Sequence, residues 1–175
     1  MNKESAINSF VKYAEQLSSL PLITHSEMNE LFGIEVTATL AKLNHYGKER
    51  QICLRCKSRC CLIARCEFYS PKFDNCPIHD LRPVVCRLHF CQQFQAEYHS
   101  LVKELGDIFF DSLITAERRG CTIVRMFDNP PLKESCPDLV KAVSPWIMEV
   151  QEGTLDPNYA EILIQGEVNK YIMRP

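Results

Sequence analysis

The sequence has no long hydrophobic run and no recognisable leader. Its apolar runs, such as residues 108–110, fall far short of the roughly 20 apolar residues that a transmembrane helix needs. Residues 1–20 are polar at helical spacing and lack the continuous apolar core of a signal peptide. We therefore expect a protein without a membrane span that stays in the cytoplasm, where cysteines remain free thiols or bind metal.

The common short signatures of enzymes are also absent. The sequence contains no glycine-rich phosphate loop, no nucleophile elbow and no paired carboxylates in a recognisable frame. A binding or accessory protein is therefore better supported than an enzyme. An enzyme stays open as an alternative, for example a methyltransferase accessory or a cysteine-based redox catalyst, since basic side chains near a cysteine lower the pKa of its thiol.

What the sequence has in excess is cysteine, and most of it lies in one stretch. Eight of the ten cysteines fall within residues 53–91. Thiolates crowd together in this way when a short length of chain wraps a polynuclear cluster or several metal ions. A disulfide framework is disfavoured by a reducing compartment, and by Cys60 and Cys61, because a bridge between chain neighbours is strained.

Hydrophobic periodicity predicts a mainly α protein, a single small helical domain over residues 1–175 that wraps an irregular cysteine-rich metal-binding region. That region spans about residues 53–91. Three helices are predicted before the cysteine stretch: one at 5–20, one with a capping box at Thr24 and Glu27 that ends at Gly33, and one at 34–46 with Gly47 as its C-cap. A long helix capped by Asp80 follows, breaks near Gly106 and ends at Arg118 and Arg119. The rest of the chain is predicted to form a short extended piece at 121–127, a turn at 129–131, a helix starting at 136–138 that Pro145 interrupts or restarts, and a final helix capped by Asp156.

The net charge of -2 gives no general reason to expect nucleic acid or an anionic membrane as partner, yet residues 48–65 are strongly basic. The only acid there is Glu49, against Lys48, Arg50, Arg55, Lys57, Arg59 and Arg65. No aromatic side chain interleaves this run, so it offers no platform for stacking bases. We favour charge compensation instead, because four thiolates around an iron–sulfur cubane or around zinc leave a net charge of about −2.

The spacing of the cysteines indicates how they bind. Cys53 and Cys56 form the commonest chelating pair, since two thiolates three residues apart in a tight turn converge on one point. Adjacent side chains diverge, so either Cys60 or Cys61 joins that pair while the other serves a second metal or a hydrogen bond. The predicted metal ligands are Cys53, Cys56, Cys60, Cys61, Cys66, Cys76, Cys86 and Cys91.

Zinc and iron–sulfur clusters both accept four thiolates, so the choice rests on pattern. Cys56 is followed by Lys57 rather than by the glycine of a zinc knuckle, and the cysteines do not form two clean CxxC units. A vicinal pair also fits the wider surface of a cubane better than a single zinc ion. The spacing differs from the ferredoxin run. One or two [4Fe-4S] clusters are the predicted cofactor, with zinc as the alternative.

Residues 53–87 resemble the YkgJ-type cysteine-cluster proteins, a family described as zinc- or iron-chelating. The family pattern CxxCxxCC is matched by Cys53-Leu-Arg-Cys56-Lys-Ser-Arg-Cys60-Cys61 with one extra residue before the pair, and the isolated cysteine of the family is matched by Cys66. The last part, ending in Arg-Pro-x-x-Cys-Arg, is matched by residues 76–87, with His79 where the family often has tyrosine. The resemblance implies metal or cluster chelation.

Two arginines of the matched motif, Arg82 and Arg87, are candidate cofactor-binding residues that could hydrogen-bond cluster sulfurs or a ligand thiolate. His79 is the best placed histidine, although eight thiols leave no shortage of ligands. Cys121 and Cys136 are interpreted as buried small hydrophobes, with completion of a second metal site as the alternative for Cys136. The predicted function is that of an iron–sulfur protein acting as an electron-transfer or accessory module for a partner redox enzyme or complex. The alternative is a structural zinc-binding adaptor.

Overall fold

The computed structural model describes residues 1–17, 22, 24–121 and 132–173. These residues form ten α-helices, two short 3-10 helices and no β-strand, so the predicted mainly α class is confirmed. The α-helices are α1 (Lys3–Leu17), α2 (His25–Phe32), α3 (Ile34–Glu49), α4 (Ile52–Arg55), α5 (Arg59–Ile63), α6 (Val84–Leu88), α7 (Gln95–Arg118), α8 (Leu132–Ser135), α9 (Pro137–Glu152) and α10 (Pro157–Ile172), and the 3-10 helices span His79–Leu81 and Gln92–Phe94.

A first hydrophobic cluster joins α1, α2, α3 and α7. The apolar positions of α1 recur every three or four residues, so they form one stripe that faces the other helices. Phe10 of α1 is fully buried and its ring lies 5.2 Å from that of Phe32 in α2. Leu43 of α3 and Ile108 of α7 complete the centre of this cluster.

A second hydrophobic cluster is built on α9 and α10 and includes part of the cysteine stretch. Val143 and Ile164 are fully buried between the two helices. Phe68, Phe73 and Ile78 pack into the same cluster from the chain between α5 and α6. These three apolar side chains anchor the middle of the cysteine stretch to the C-terminal helices, although that segment has little regular structure of its own.

The predicted caps of two helices are confirmed. The backbone N–H of Glu27 donates to Thr24 Oγ1 at 3.2 Å, and Glu27 in turn accepts from the N–H of Thr24, which completes a capping box at the start of α2. Gly33 ends α2 with a φ of 80°. Asp156 caps α10 by accepting from the N–H groups of Asn158 and Tyr159.

The prediction that Gly47 ends the third helix is wrong, because α3 continues to Glu49. Gly47 lies inside the helix and faces the ring of Phe94. A Cβ at this position would come within 2.9 Å of Phe94 Cζ, which is closer than carbon atoms pack. The glycine therefore permits a close approach between α3 and the segment that precedes α7.

The prediction of one long helix from Asp80, broken near Gly106, is also wrong. Arg82 has a ψ of 149° because the following Pro83 disfavours helical backbone before it, so α6 starts only after the proline. The chain then leaves the helix at His89, and α7 runs unbroken through Gly106 with a kink at Tyr98.

Other elements differ less from expectation. α1 starts at Lys3, two residues before its predicted start, and the predicted residues 18–20 lie outside the described residues, as do the turn at 129–131 and all of the extended piece except Cys121. α9 passes through Pro145 without a break. The cysteine stretch is more regular than expected, because it contains α4, α5 and α6. Within the described part of the chain, no helix combines the length and apolarity that crossing a bilayer requires.

The two faces of α3 give a test of the first cluster. We expect Leu43→Ala, at a fully buried position, to lower the free energy of unfolding by about 3 kcal/mol, because it removes buried surface and leaves a cavity. The matched control is Ile34→Ala in the same helix, whose side chain is 76% exposed and whose loss should cost under about 0.5 kcal/mol. Urea unfolding of the two variants measures both, and equal losses would contradict the packing described here.

Candidate metal centre

The first cysteine helix, α4, ends in a tight backbone turn. The N–H of Ser58 donates to the carbonyl of Cys53 at 2.9 Å, and the N–H of Lys57 donates to the carbonyl of Leu54 at 3.0 Å. This pair of bonds is a Schellman motif, which needs a left-handed residue after the helix. Lys57 fills that position with a φ of 53°. The turn reverses the chain directly after Cys56.

The second cysteine helix, α5, ends in the same way. The N–H of Cys66 donates to the carbonyl of Cys61, and the N–H of Arg65 donates to the carbonyl of Leu62, both at 3.1 Å. Arg65 occupies the left-handed position with a φ of 50°. The short helices α4 and α5 therefore both end in a Schellman motif, and in each motif the carbonyl of a cysteine accepts one of the two hydrogen bonds.

Backbone strain is concentrated around these two helices. Among the described residues, the non-glycine residues with positive φ are Gln51, Lys57, Ser58 and Arg65. Each costs on the order of 1 kcal/mol relative to right-handed backbone. Strained backbone of this kind clusters at functional sites, where the direction of particular side chains matters more than local stability.

Three other cysteines act on the ionisation of Cys53. Negative charge on Cys56, Cys91 or Cys60 opposes ionisation of Cys53 and raises its pKa, after the larger effect of burial. Cys91 and Cys56 likewise raise the pKa of Cys60, again after the larger effect of burial. We call Cys53, Cys56, Cys60 and Cys91 the outer group, because it contains Cys60, the one of the eight cysteines in the stretch that is exposed.

The remaining cysteines of the stretch form a second neighbourhood. Burial raises the pKa of Cys61, Cys66 and Cys76 to about 12, and neighbouring thiols add to the effect. Cys86 contributes to the rise at all three, and its own pKa is raised mainly by burial. We call Cys61, Cys66, Cys76 and Cys86 the inner group.

The two groups lie side by side. Cys60 and Cys61 are chain neighbours in α5, and the charge of Cys53 also reaches Cys61. Cys60 in turn raises the pKa of Cys86. Each of the eight cysteines predicted as ligands thus raises the pKa of at least one other.

Backbone amides point at two sulfurs of the inner group. The N–H of Phe68 donates to the thiol of Cys66 and the N–H of Ile78 donates to that of Cys76, and each bond lowers the pKa of its thiol. In both cases the donor lies two residues after the cysteine. Amide bonds to sulfur stabilise thiolate charge and are a usual second shell around metal-bound cysteines.

The positive charge of Arg82 acts on cysteines of both groups. Its guanidinium lowers the pKa of Cys53 in the outer group and of Cys76 and Cys86 in the inner group. The side chain is fixed, because Nε donates to the carbonyl of His79 and Nη2 donates to Asn44 Oδ1, both at 2.8 Å. Arg82 is therefore well placed to compensate the charge of thiolates on either side.

Arg87 is buried and supports the turn that carries Arg82. Its Nε donates to the carbonyl of Arg82 at 2.8 Å, and its Nη2 donates to the carbonyl of Asp80. Burial, helped by the nearby charge of Arg82, lowers the pKa of the Arg87 guanidinium to about 10. These bonds give Arg87 a role in holding the backbone of residues 80–82.

Two histidines near the cysteines differ in their contacts. His89 Nε2 lies 3.3 Å from Cys60 Sγ, a contact that sequence reasoning did not single out because the two residues are far apart in the chain. His79 Nδ1 instead lies 3.0 Å from Asp80 Oδ1, and Asp80 also pairs with Lys48 of α3 at 3.2 Å. His79 thus belongs to a small polar cluster at the edge of the stretch.

Within residues 1–17, 22, 24–121 and 132–173, no set of three or more histidine, cysteine or acidic side chains is arranged to hold a metal ion. The outer and inner groups are therefore neighbourhoods of free thiols rather than closed coordination shells. A cavity of about 290 Å³ lies beside Lys48, Asp80 and Arg87, and its described lining includes no cysteine. Cys136 is buried in the second hydrophobic cluster, as its interpretation as a small hydrophobe predicts, whereas Cys121 is half-buried and packs against the first cluster.

The chain matches no protein-family model, and no curated protein or solved structure is significantly similar to it. The resemblance to YkgJ-type proteins gains no support from these comparisons and rests on residues 53–87 alone.

The state of His79 predicts how stability depends on pH. Burial and the nearby Arg82 charge lower the pKa of His79 to about 4, outweighing the attraction of Asp80. In the unfolded chain a histidine titrates near 6.5, so the unfolded state binds the proton first as the pH falls. We expect full stability above pH ~6.5 and a loss of about 2 kcal/mol between pH ~6.5 and ~4, allowing for partial exposure.

Urea unfolding with chelator and reductant present isolates this effect from metal binding. The matched variant is His79→Gln, which keeps a polar side chain and cannot titrate in this range. Its stability should change less than that of the natural chain between the two pH values. Parallel pH profiles for the two chains would show that His79 is not held neutral.

Proposed function

We propose that this chain is an iron–sulfur protein that carries one or two [4Fe-4S] clusters on its cysteine stretch and serves as an electron-transfer or accessory module for a partner redox enzyme or complex. The observation that carries the proposal is that eight cysteines lie within residues 53–91 and that each raises the pKa of at least one other, while Arg82 lowers the pKa of Cys53, Cys76 and Cys86. The proposed ligands are these eight cysteines, and the reducing environment of the cytoplasm would keep them available.

The arrangement supports a multinuclear centre over scattered structural thiols. Eight thiols near one another are costly to ionise without compensation, and a bound cation supplies that compensation while the thiol protons leave. Arg82 and the amides that donate to Cys66 and Cys76 would stabilise the remaining negative charge. The absence of a glycine knuckle after Cys56 and the vicinal pair favour iron–sulfur over zinc.

The surface of α4 and α5 supports contact with a partner. Leu62 is 58% exposed and Ile63 is 73% exposed, and both follow directly after the vicinal cysteines. Arg55, Lys57, Arg59 and Arg65 are exposed, and no ion pair between described residues includes them. An apolar surface with unpaired cations beside the outer group suits a partner that presents acidic residues around an apolar centre.

Structural zinc is the second candidate, because each group has the four thiols of a common zinc site. In that case the protein would act as an adaptor whose fold depends on metal and which takes up no electrons. The two candidates differ in metal, in acid-labile sulfide and in redox behaviour.

The first test is the metal content of protein purified without oxygen. We expect iron and acid-labile sulfide in equal amounts, roughly four of each per cluster, and an electron paramagnetic resonance signal after reduction. Reoxidation should remove the signal, because electron transfer needs a reversible couple. A colourless protein with zinc, no iron and no sulfide would overturn the iron–sulfur proposal and leave the zinc adaptor.

The second test uses charge at the exposed surface. We expect Lys57→Glu with Arg59→Glu to slow reduction by an anionic reductant such as dithionite by about tenfold at low salt, because the cations steer anions to the outer group. Stopped-flow absorbance at low and high salt measures the rate, and the difference should shrink as salt screens the charges.

A matched control reverses a lysine outside the cysteine stretch, as in Lys12→Glu on α1. Its rate should change by less than about twofold. Lys57→Glu alone changes the net charge by the same amount as Lys12→Glu, so equal effects of these two single variants would show that net charge alone matters and that α4 and α5 are not the site of electron entry.

A further inference from the structure

The cavity of about 290 Å³ beside Arg87 is lined by residues of α2, of α3 and of the segment at 80–87. One face of α3 forms much of its wall, because Leu40, Ala41, Asn44 and Lys48 recur there at a spacing of three or four residues. Ligand cavities in proteins start at about 300 Å³, so a cavity of this size suits a small molecule.

The lining has an apolar side and a polar side. Met28 and Leu40 line the cavity and are buried, so the apolar side lies toward the protein interior. Lys48 and Asp80 are exposed and lie toward solvent, where the Lys48 ammonium pairs with the Asp80 carboxylate at 3.2 Å. A ligand that fits both sides has a hydrocarbon part and a polar end.

The hydrogen-bonding groups of the polar side indicate what that end must be. The acceptors are already engaged, because Asn44 Oδ1 accepts from Arg82 Nη2 at 2.8 Å and the Asp80 carboxylate meets both Lys48 and His79. The Asn44 amide nitrogen makes no hydrogen bond to another described residue, and Lys48 has three N–H groups of which Asp80 is the acceptor within the described chain. A ligand therefore has to supply acceptor oxygens.

The charge of the lining sets the charge of the ligand. Lys48 and Arg87 are positive and Asp80 is negative, which leaves one net positive charge with the two histidines of the lining neutral. Two further carboxylates, Glu161 and Glu27, act electrostatically on Lys48 and Arg87 respectively, although neither lines the cavity. These acids oppose an anion of two charges more strongly than an anion of one charge.

We propose that this cavity binds a small monocarboxylate, whose hydrocarbon part packs on Met28 and Leu40 and whose carboxylate accepts hydrogen bonds from Lys48 and Asn44. The inference goes beyond the proposed metal binding, because no cysteine belongs to the described lining. The site nonetheless adjoins the cysteine stretch, since Asn44 holds Arg82 and the lining residue Arg87 donates to the carbonyl of Arg82.

A titration of the full chain, labelled with ¹⁵N, tests the class of ligand. The probe is hexanoate, and we expect saturable shifts of the α3 amides with a dissociation constant on the order of 1 mM. Hexanamide has the same hydrocarbon part without the charge, and inorganic phosphate has charge without the hydrocarbon part. Both should bind at least about tenfold more weakly than hexanoate. Equal binding of hexanamide, or tighter binding of phosphate, would overturn the assignment.

Two pairs of variants locate the bound probe. Ala41 lines the cavity at an exposed position of α3, so Ala41→Phe should fill the cavity and abolish saturable binding. Its control is Ala38→Phe, at an exposed position of the same helix outside the lining. Lys48→Met should weaken binding by at least about tenfold. Its control is Lys103→Met on α7, which also loses an exposed ion pair, here with Asp107.

Both controls should bind hexanoate within about twofold of the natural chain, and circular dichroism checks that each variant keeps its helices. If Ala41→Phe does not fold, the contrast between Lys48→Met and Lys103→Met carries the test. Equal effects within that pair would overturn the site, as would a natural chain whose α3 amides do not shift. A chain that holds iron and sulfide but binds no hexanoate would reject this inference and leave the proposed function standing.

Discussion

The cysteine stretch depends on two arginines, of which Arg82 binds it to α3 and Arg87 holds the turn that carries Arg82. Arg82 reaches from the stretch to Asn44 of α3 and holds the carbonyl of His79, and Arg87 holds the carbonyls of Arg82 and Asp80. Hydrogen bonds from a charged donor are stronger than neutral ones, and a buried guanidinium must have its donors satisfied. The arginines therefore fix the turn before α6 while one of them presents positive charge to both groups of thiols.

The helices that sequence predicted well are those whose ends are decided locally. Thr24 and Asp156 bond to backbone N–H groups only two or three residues away, so residue type and spacing are enough to place them. Gly47 shows why other ends are missed. A glycine after an apolar stripe is typical of a C-cap, but here it makes room for Phe94, and that contact joins residues distant in the chain.

The candidate site also has one part that the sequence predicts and another that depends on the fold. The identity of the eight cysteines follows from their density in the sequence, whereas their sorting into outer and inner groups depends on which segments the fold brings together. Cys91 raises the pKa of Cys53, and it follows the end of α6 at His89, which no local sequence pattern predicts. The left-handed backbone at Lys57 and Arg65 could not be predicted from the sequence either, since glycine is the residue that usually occupies such positions.

The contact between Gly47 and Phe94 has a consequence for how this fold can diverge. The Phe94 ring also lies 5.2 Å from Phe90 and 6.0 Å from Tyr46, so it has little freedom to move aside. A larger residue at position 47 is then tolerated only if position 94 shrinks at the same time. The two positions should covary across descendants of this chain, and their joint pattern offers a criterion for ancestry that does not depend on the cysteines.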